Sequence, residues 1–200
     1  MNDPRPVLAL DLDNTLTWFT RPYLWWTTAR GVPHEEIWDP NLIDEFQRGD
    51  GLMLCKPTPY SQMAVGELSK IVRPVIVTAR NADIEDATRV LVARYFSPYI
   101  NPDDIVLVGH DNGTPVVSKL EAILDRGLDP IGIVDDLYST AKGYADTGRH
   151  GFVINIAGKA AAEHEHLTIY PEHKEAWNHI PHGVKQLIAQ RTLHPAKTYV

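Results

Sequence analysis

The chain has almost no cysteine: Cys55 stands alone among 200 residues. That excludes an intrachain disulfide and any paired-cysteine metal site, and Cys55 itself reads as a small apolar filler. Long apolar runs are missing as well. No stretch comes near the roughly 18 residues that a membrane-spanning helix needs, so no membrane partner is expected. The opening Met-Asn-Asp-Pro-Arg-Pro leads into only a short apolar stretch, which is not the pattern of a secretory signal. A cytoplasmic protein is the expectation. Positive charge is also scarce, with 19 Lys and Arg against 26 Asp and Glu and a formal net charge of −7. Long nucleic acid needs a basic stripe that neutralises phosphates, so that partner is not expected either. A small anionic substrate stays open, because it responds to a local field rather than to the total charge.

What is present suits a folded domain. Hydrophobic residues make up 44% and charged residues 22%, enough for a core of two or three layers. Val7-Leu8-Ala9-Leu10 is a short apolar run that stops at Asp11. Val75-Ile76-Val77 before Thr78, Ile105-Val106-Leu107-Val108 before Gly109, and Ile131-Gly132-Ile133-Val134 before Asp135 repeat it, and Phe152-Val153-Ile154 is a fifth candidate. Runs of this kind fit strands buried on both faces of a parallel sheet. Between them, residues 60–71, 83–96, 116–126 and, more weakly, 138–146 place apolar side chains at helical spacing. Strand and helix in alternation imply an α/β fold, a three-layer Rossmann-like parallel sheet with right-handed crossovers. A closing amphipathic helix over 172–191 is expected to kink or break near Pro181.

Residues 17–58 break the alternation. They hold Trp18, Phe19, Tyr23, Trp25, Trp26 and Trp38, punctuated by prolines. This stretch reads as a small, mainly helical cap inserted after the first strand, with residues 1–16 and 59–200 as the core. It would overhang the carboxyl edge of the sheet, where ligands of such folds bind.

The chemistry starts at Asp11-Leu12-Asp13-Asn14-Thr15. In an extended segment, residues two apart point the same way, so the Asp11 and Asp13 carboxylates would repel without a cation, and hard oxygen ligands suit Mg²⁺. An ionised Asp can attack phosphorus, and a second Asp can serve as acid and then base. Asp135-Asp136 at the end of a buried strand needs a partner for its charge. Thr78 offers a hydroxyl and a backbone N–H at another strand end, and Lys119 stands early in a helix.

In order along the chain, these pieces resemble the four motifs of the haloacid dehalogenase (HAD) superfamily: Asp11-Leu12-Asp13-Asn14-Thr15, then Val75-Ile76-Val77-Thr78, then Lys119, then Ile133-Val134-Asp135-Asp136. The likeness spans roughly residues 7–156. It implies Asp11 as nucleophile and metal ligand, and Asp13 as general acid/base that lends its carbonyl to the metal. It further implies Thr78 as phosphoryl binder, Lys119 as the neutralising cation, and Asp135 with Asp136 as Mg²⁺ holders. Asn14 stands where many members have Gly. The short cap looks most similar to that of the 5'(3')-deoxyribonucleotidase group, and the pattern also to the 3'-phosphatase domains of polynucleotide kinases. That implies a phosphatase acting on a small phosphorylated substrate such as a (deoxy)nucleotide. A sugar phosphate, a polynucleotide 3' end, or a catalytically silent binding module are the alternatives. Trp25 and Trp26 either stack on a base or form the cap's own core. Arg80 could reach a substrate phosphate bidentately. His164, His166, His173, His179, His182 and His194 crowd the final segment, with no spacing of a standard zinc finger.

Overall fold

The computed structural model describes residues 3–111, 114–154 and 162–193. A six-stranded parallel sheet forms its centre. In chain order the elements are β1 (Val7–Leu10), α1 (Thr20–Ala29), α2 (Pro40–Arg48), α3 (Ser61–Leu68), β2 (Arg73–Thr78), α4 (Glu85–Phe96) and β3 (Ile105–Leu107). There follow β4 (His110–Asp111), β5 (Thr114–Pro115), α5 (Lys119–Asp125), β6 (Pro130–Asp135), α6 (Tyr138–Ala145), β7 (His150–Ile154), β8 (Leu167–Tyr170) and α7 (His173–Leu193). The strand order is β3-β2-β1-β6-β7-β8, with β4 and β5 as a separate two-stranded hairpin. The chain winds outward from β1 in one direction, then returns to β6 and winds the other way. The reversal falls between β1 and β6, the place where such sheets bind ligands.

Successive strand residues face opposite sides, and the two cores follow from that. Leu8, Leu10, Ile76 and Val134 meet α3, α4 and α7 through Val65, Leu68, Leu91, Phe96, Trp177 and Ile180. Val7, Ala9, Val75, Val77 and Ile133 meet α5 and α6 through Ile123, Ala141 and Tyr144. This is the expected three-layer α/β architecture.

Three features depart from the sequence reading. β8 adds a sixth strand at the sheet edge, where Leu167, Thr168 and Ile169 are only partly covered. The β4–β5 hairpin sits between β3 and α5. Helix α7 is not interrupted at Pro181, because Ala176, Trp177, Ile180 and Val184 anchor both of its halves in the core.

The 17–58 stretch folds into α1, α2 and two short 3-10 helices, His34–Glu36 and Asp50–Leu54. Asp39 caps α2 by accepting from the Asn41 N–H at 2.8 Å, with Pro40 at the first turn. Phe19, Tyr23, Trp26 and Phe46 pack ring on ring. Their cluster is continuous with the apolar layer on one side of the sheet. None of the described helices is long and apolar enough to cross a membrane.

Candidate active site

Strands β1, β2 and β6 bring Asp11, Thr78 and Asp135 to one edge. The Asp11 N–H donates to the Val134 carbonyl at 2.9 Å, which sets Asp11 beside Asp135. One carboxylate oxygen from each of Asp11, Asp135 and Asp136 lies within 4.8 Å of the others. Among the described residues this is the only group of three or more His, Cys, Asp or Glu so disposed. His194 lies outside the described residues.

Lys119 enters from the first turn of α5, where Ser118 Oγ accepts from the Glu121 N–H at 3.0 Å and fixes the helix start. Its Nζ donates to Asp11 Oδ1 at 2.5 Å and to Asp135 Oδ2 at 2.8 Å. Burial works against the charge of Lys119, but Asp11 and Asp135 outweigh it and hold the amine above its ordinary range. The remaining Asp135 oxygen accepts from the Leu137 N–H at 2.8 Å.

One lysine does not neutralise three acids. Burial is the largest influence pushing the Asp11 and Asp136 carboxyls well above the ordinary carboxylate range. Asp135 adds to it and Lys119 opposes it. Uncompensated buried charge of this kind is costly, and an all-oxygen donor set suits a hard divalent cation. Asp11, Asp135 and Asp136 therefore fit a site for a hard divalent cation.

Thr78 is buried at the end of β2 and lines the same cavity as Asp11, a space of about 480 Å³ that continues between α5 and α6 to Ser139, Gly143 and Tyr144. A second cavity of about 410 Å³ opens against the 17–58 stretch, lined by Phe19, Trp38, Ile43, Gln47, Arg80 and His110, among others. Asp13 and Ala79 border both, so Asp13 stands where the two spaces meet.

Arg80 is placed otherwise than a phosphate-reaching arginine. Its Nε and Nη2 donate to Asp13 Oδ2 and Oδ1 at 2.9 and 2.7 Å, and Nη1 donates to Thr88 Oγ1 at 3.2 Å. Trp25 and Trp26 line neither cavity. Tyr23, Trp26 and Thr27 form the inward face of α1 at three- and four-residue spacing, which turns Trp25 outward, 65% exposed, and buries Trp26 beneath the Arg30 guanidinium. The aromatic rings that do line the second cavity are Phe19 and Trp38.

Two supporting residues carried no local signal. Asn14 adopts φ of 61°, a left-handed conformation that Asn tolerates and most residues do not. Its Oδ1 also accepts from the Phe19 and Thr20 N–H groups at 3.3 and 2.9 Å, at the start of α1. A glycine there could not make those bonds. His173, 159 positions away, closes its Nε2 on the Asn14 carbonyl at 2.6 Å and packs on Trp18 with ring centroids 4.4 Å apart. Burial lowers the pKa of His173, so the neutral ring is favoured. His173→Ala is expected to destabilise the fold by about 1 kcal/mol, the net worth of a hydrogen bond to a part-buried carbonyl. His173→Gln should recover part of that. Urea denaturation checks both, and an unchanged midpoint in His173→Ala would refute the anchoring role.

No family model and no curated protein matches this sequence. The fold is similar to that of several solved structures described as haloacid dehalogenase-like hydrolases or phosphatases. A haloacid dehalogenase-like family hydrolase from Xanthomonas campestris superposes with a TM-score of 0.60 at 14% identity, covering 95% of this chain and 99% of that one. A protein from Clostridium acetobutylicum described as a predicted phosphatase gives 0.58 at 11% identity, over 92% of this chain and 100% of that one. The HAD-hydrolase YfnB from Bacillus subtilis, solved with magnesium bound, gives 0.55 at 14% identity, over 88% and 98%.

Proposed function

We propose that this chain is a Mg²⁺-dependent phosphomonoester hydrolase working through an aspartyl-phosphate on Asp11, with a small (deoxy)nucleotide monophosphate as substrate. The observation that carries the reading is the meeting of Asp11, Thr78, Lys119, Asp135 and Asp136 at one sheet edge, with Asp13 at the junction of two cavities.

Asp11 attacks phosphorus, and Asp13 gives its proton to the leaving ester oxygen as the P–O bond breaks. Asp13 then takes a proton from the water that attacks the aspartyl-phosphate, which frees inorganic phosphate and restores Asp11. Thr78 and Lys119 hold the phosphoryl oxygens, so positioning and charge do most of the work. A cation held by Asp11, Asp135 and Asp136 would supply further neutralisation of the phosphoryl charge.

The leaving group falls to the cap cavity. Trp38 and Phe19 supply aromatic faces there, and Gln47 and His110 supply polar edges, a combination suited to a base. The buried free thiol of Cys55 accords with a reducing cytoplasmic setting.

A phosphate-release screen over nucleoside monophosphates, sugar phosphates and p-nitrophenyl phosphate with Mg²⁺ tests the reading. Stacking on a base contributes about 1–3 kcal/mol, so Trp38→Ala is expected to raise KM for nucleotides about tenfold with little change for p-nitrophenyl phosphate. Equal effects on both would remove the base from the proposal. No Mg²⁺-dependent turnover of any ester would leave only a binding module.

A further inference from the structure

Arg80 is among the most deeply buried large side chains, 1% exposed, while the Asp13 side chain it grips is 21% exposed. Its backbone is tied on both sides: the Arg80 carbonyl accepts from the Gly109 N–H at 3.1 Å, and the Arg80 N–H donates to Thr78 Oγ1 at 3.4 Å. Thr88 on α4 takes the third guanidinium nitrogen. The fork is thus anchored in the core behind β2, whereas Asp13 sits on a loop beyond β1 and lines both cavities. A planar guanidinium that bonds both oxygens of a carboxylate fixes its plane as well as its place, which a lysine ammonium cannot do.

We propose that Arg80 is a positioning residue for the acid/base step: the buried fork holds the Asp13 carboxylate at the border between the phosphoryl site and the cap cavity, where the ester oxygen leaves and the water enters. This rests on the phosphohydrolase reading above. Arg80 transfers no proton and stays a cation throughout, while the proton moves only between Asp13, the ester oxygen and water. The role differs from that of a phosphate-binding arginine, which would act through KM and alike on every substrate.

The test compares kcat and KM of the native enzyme, Arg80→Lys, Arg80→Ala and Thr88→Val on an alkyl phosphate and on p-nitrophenyl phosphate. An alkoxide needs protonation as it departs, and p-nitrophenolate leaves without it. A misplaced acid/base costs on the order of 10²-fold. The two Arg80 variants are therefore expected to lose about that much in kcat/KM on the alkyl ester and less than about tenfold on the aryl ester, because kcat/KM reads the step in which the ester oxygen leaves, whereas the later water step is common to both esters. Thr88→Val keeps the ion pair and should show the same preference at smaller amplitude, and millimolar guanidinium should partly restore Arg80→Ala on the alkyl ester alone. Equal losses of kcat/KM on both esters, as a phosphate-binding arginine would give, or no loss would overturn the proposal. If Arg80→Ala fails to fold, Arg80→Lys and Thr88→Val decide by the same criterion. A native enzyme that releases phosphate from neither ester sinks the hydrolase reading itself, an outcome distinct from a native enzyme that works while its variants show no dependence on the leaving group.

Discussion

Asp11→Asn is expected to lose turnover of p-nitrophenyl phosphate by on the order of 10⁴-fold or more, while the metal-free protein becomes more resistant to heat. The loss follows from removing the nucleophile, since residual catalysis by the surrounding groups is small. The gain follows from the electrostatics of the apo site. Asp11 is buried among Asp135, Asp136 and Asp13 with Lys119 as the near cation, so its negative charge is held at a cost. Asparagine keeps the shape and can still accept from Lys119, which retains Asp135 as its charged partner. Activity and stability therefore move in opposite directions, as strained functional sites lead one to expect. Turnover with Mg²⁺ and a thermal melt in chelator measure the two halves. Retained turnover would remove Asp11 from the mechanism, and a lower melting temperature would mean that its carboxylate is well compensated without a cation.

Mg²⁺ should raise the melting temperature, and by more at pH 8 than at pH 5. Burial pushes the Asp11 carboxyl up to about 7 and that of Asp136 to about 8, from 3.8. An acid whose pKa is raised on folding binds more protons folded than unfolded between the two values. The metal-free protein therefore loses stability from these groups as pH rises from about 4 towards 8. Lys119, raised from 10.5, adds stability that is fully present throughout this range. A cation needs the ionised carboxylates and competes with their protons, so its effect is weakest at the acid end and strongest once they are charged. At about 100 times its dissociation constant a ligand stabilises by about 2.7 kcal/mol, roughly 5–10 °C for a chain of this size. Asp136→Asn should shrink both the pH slope and the Mg²⁺ response. Equal Mg²⁺ shifts at pH 5 and pH 8 would argue against these carboxylates as the binding site.

Much of the fold was legible because its signals are local. Five apolar runs marked β1, β2, β3, β6 and β7, since strands covered on both faces read as continuous hydrophobic stretches. β8 escaped because Leu167-Thr168-Ile169-Tyr170 alternates at a half-covered edge, and the two-residue arms of the β4–β5 hairpin are too short for periodicity to register. In the cap, the sequence showed that aromatic rings abound but could not say which ones face the cavity. The inward face of α1 chose Trp26 for the core and left Trp25 in solvent. Trp38, beyond the first 3-10 helix, supplies the cavity wall instead.

The order of the acids, the hydroxyl and the lysine along the chain, and their places at strand ends or the first turn of a helix, were settled by sequence, because a strand's burial and its polar stop are written in consecutive residues. Tertiary structure alone decided who pairs with whom. Arg80 finds Asp13 across 67 positions, Lys119 finds Asp11 across 108, and His173 finds Asn14 across 159. No short-range pattern encodes such meetings. They arise when apolar faces pack the sheet between its helices and carry the polar residues at the sheet's edge into contact.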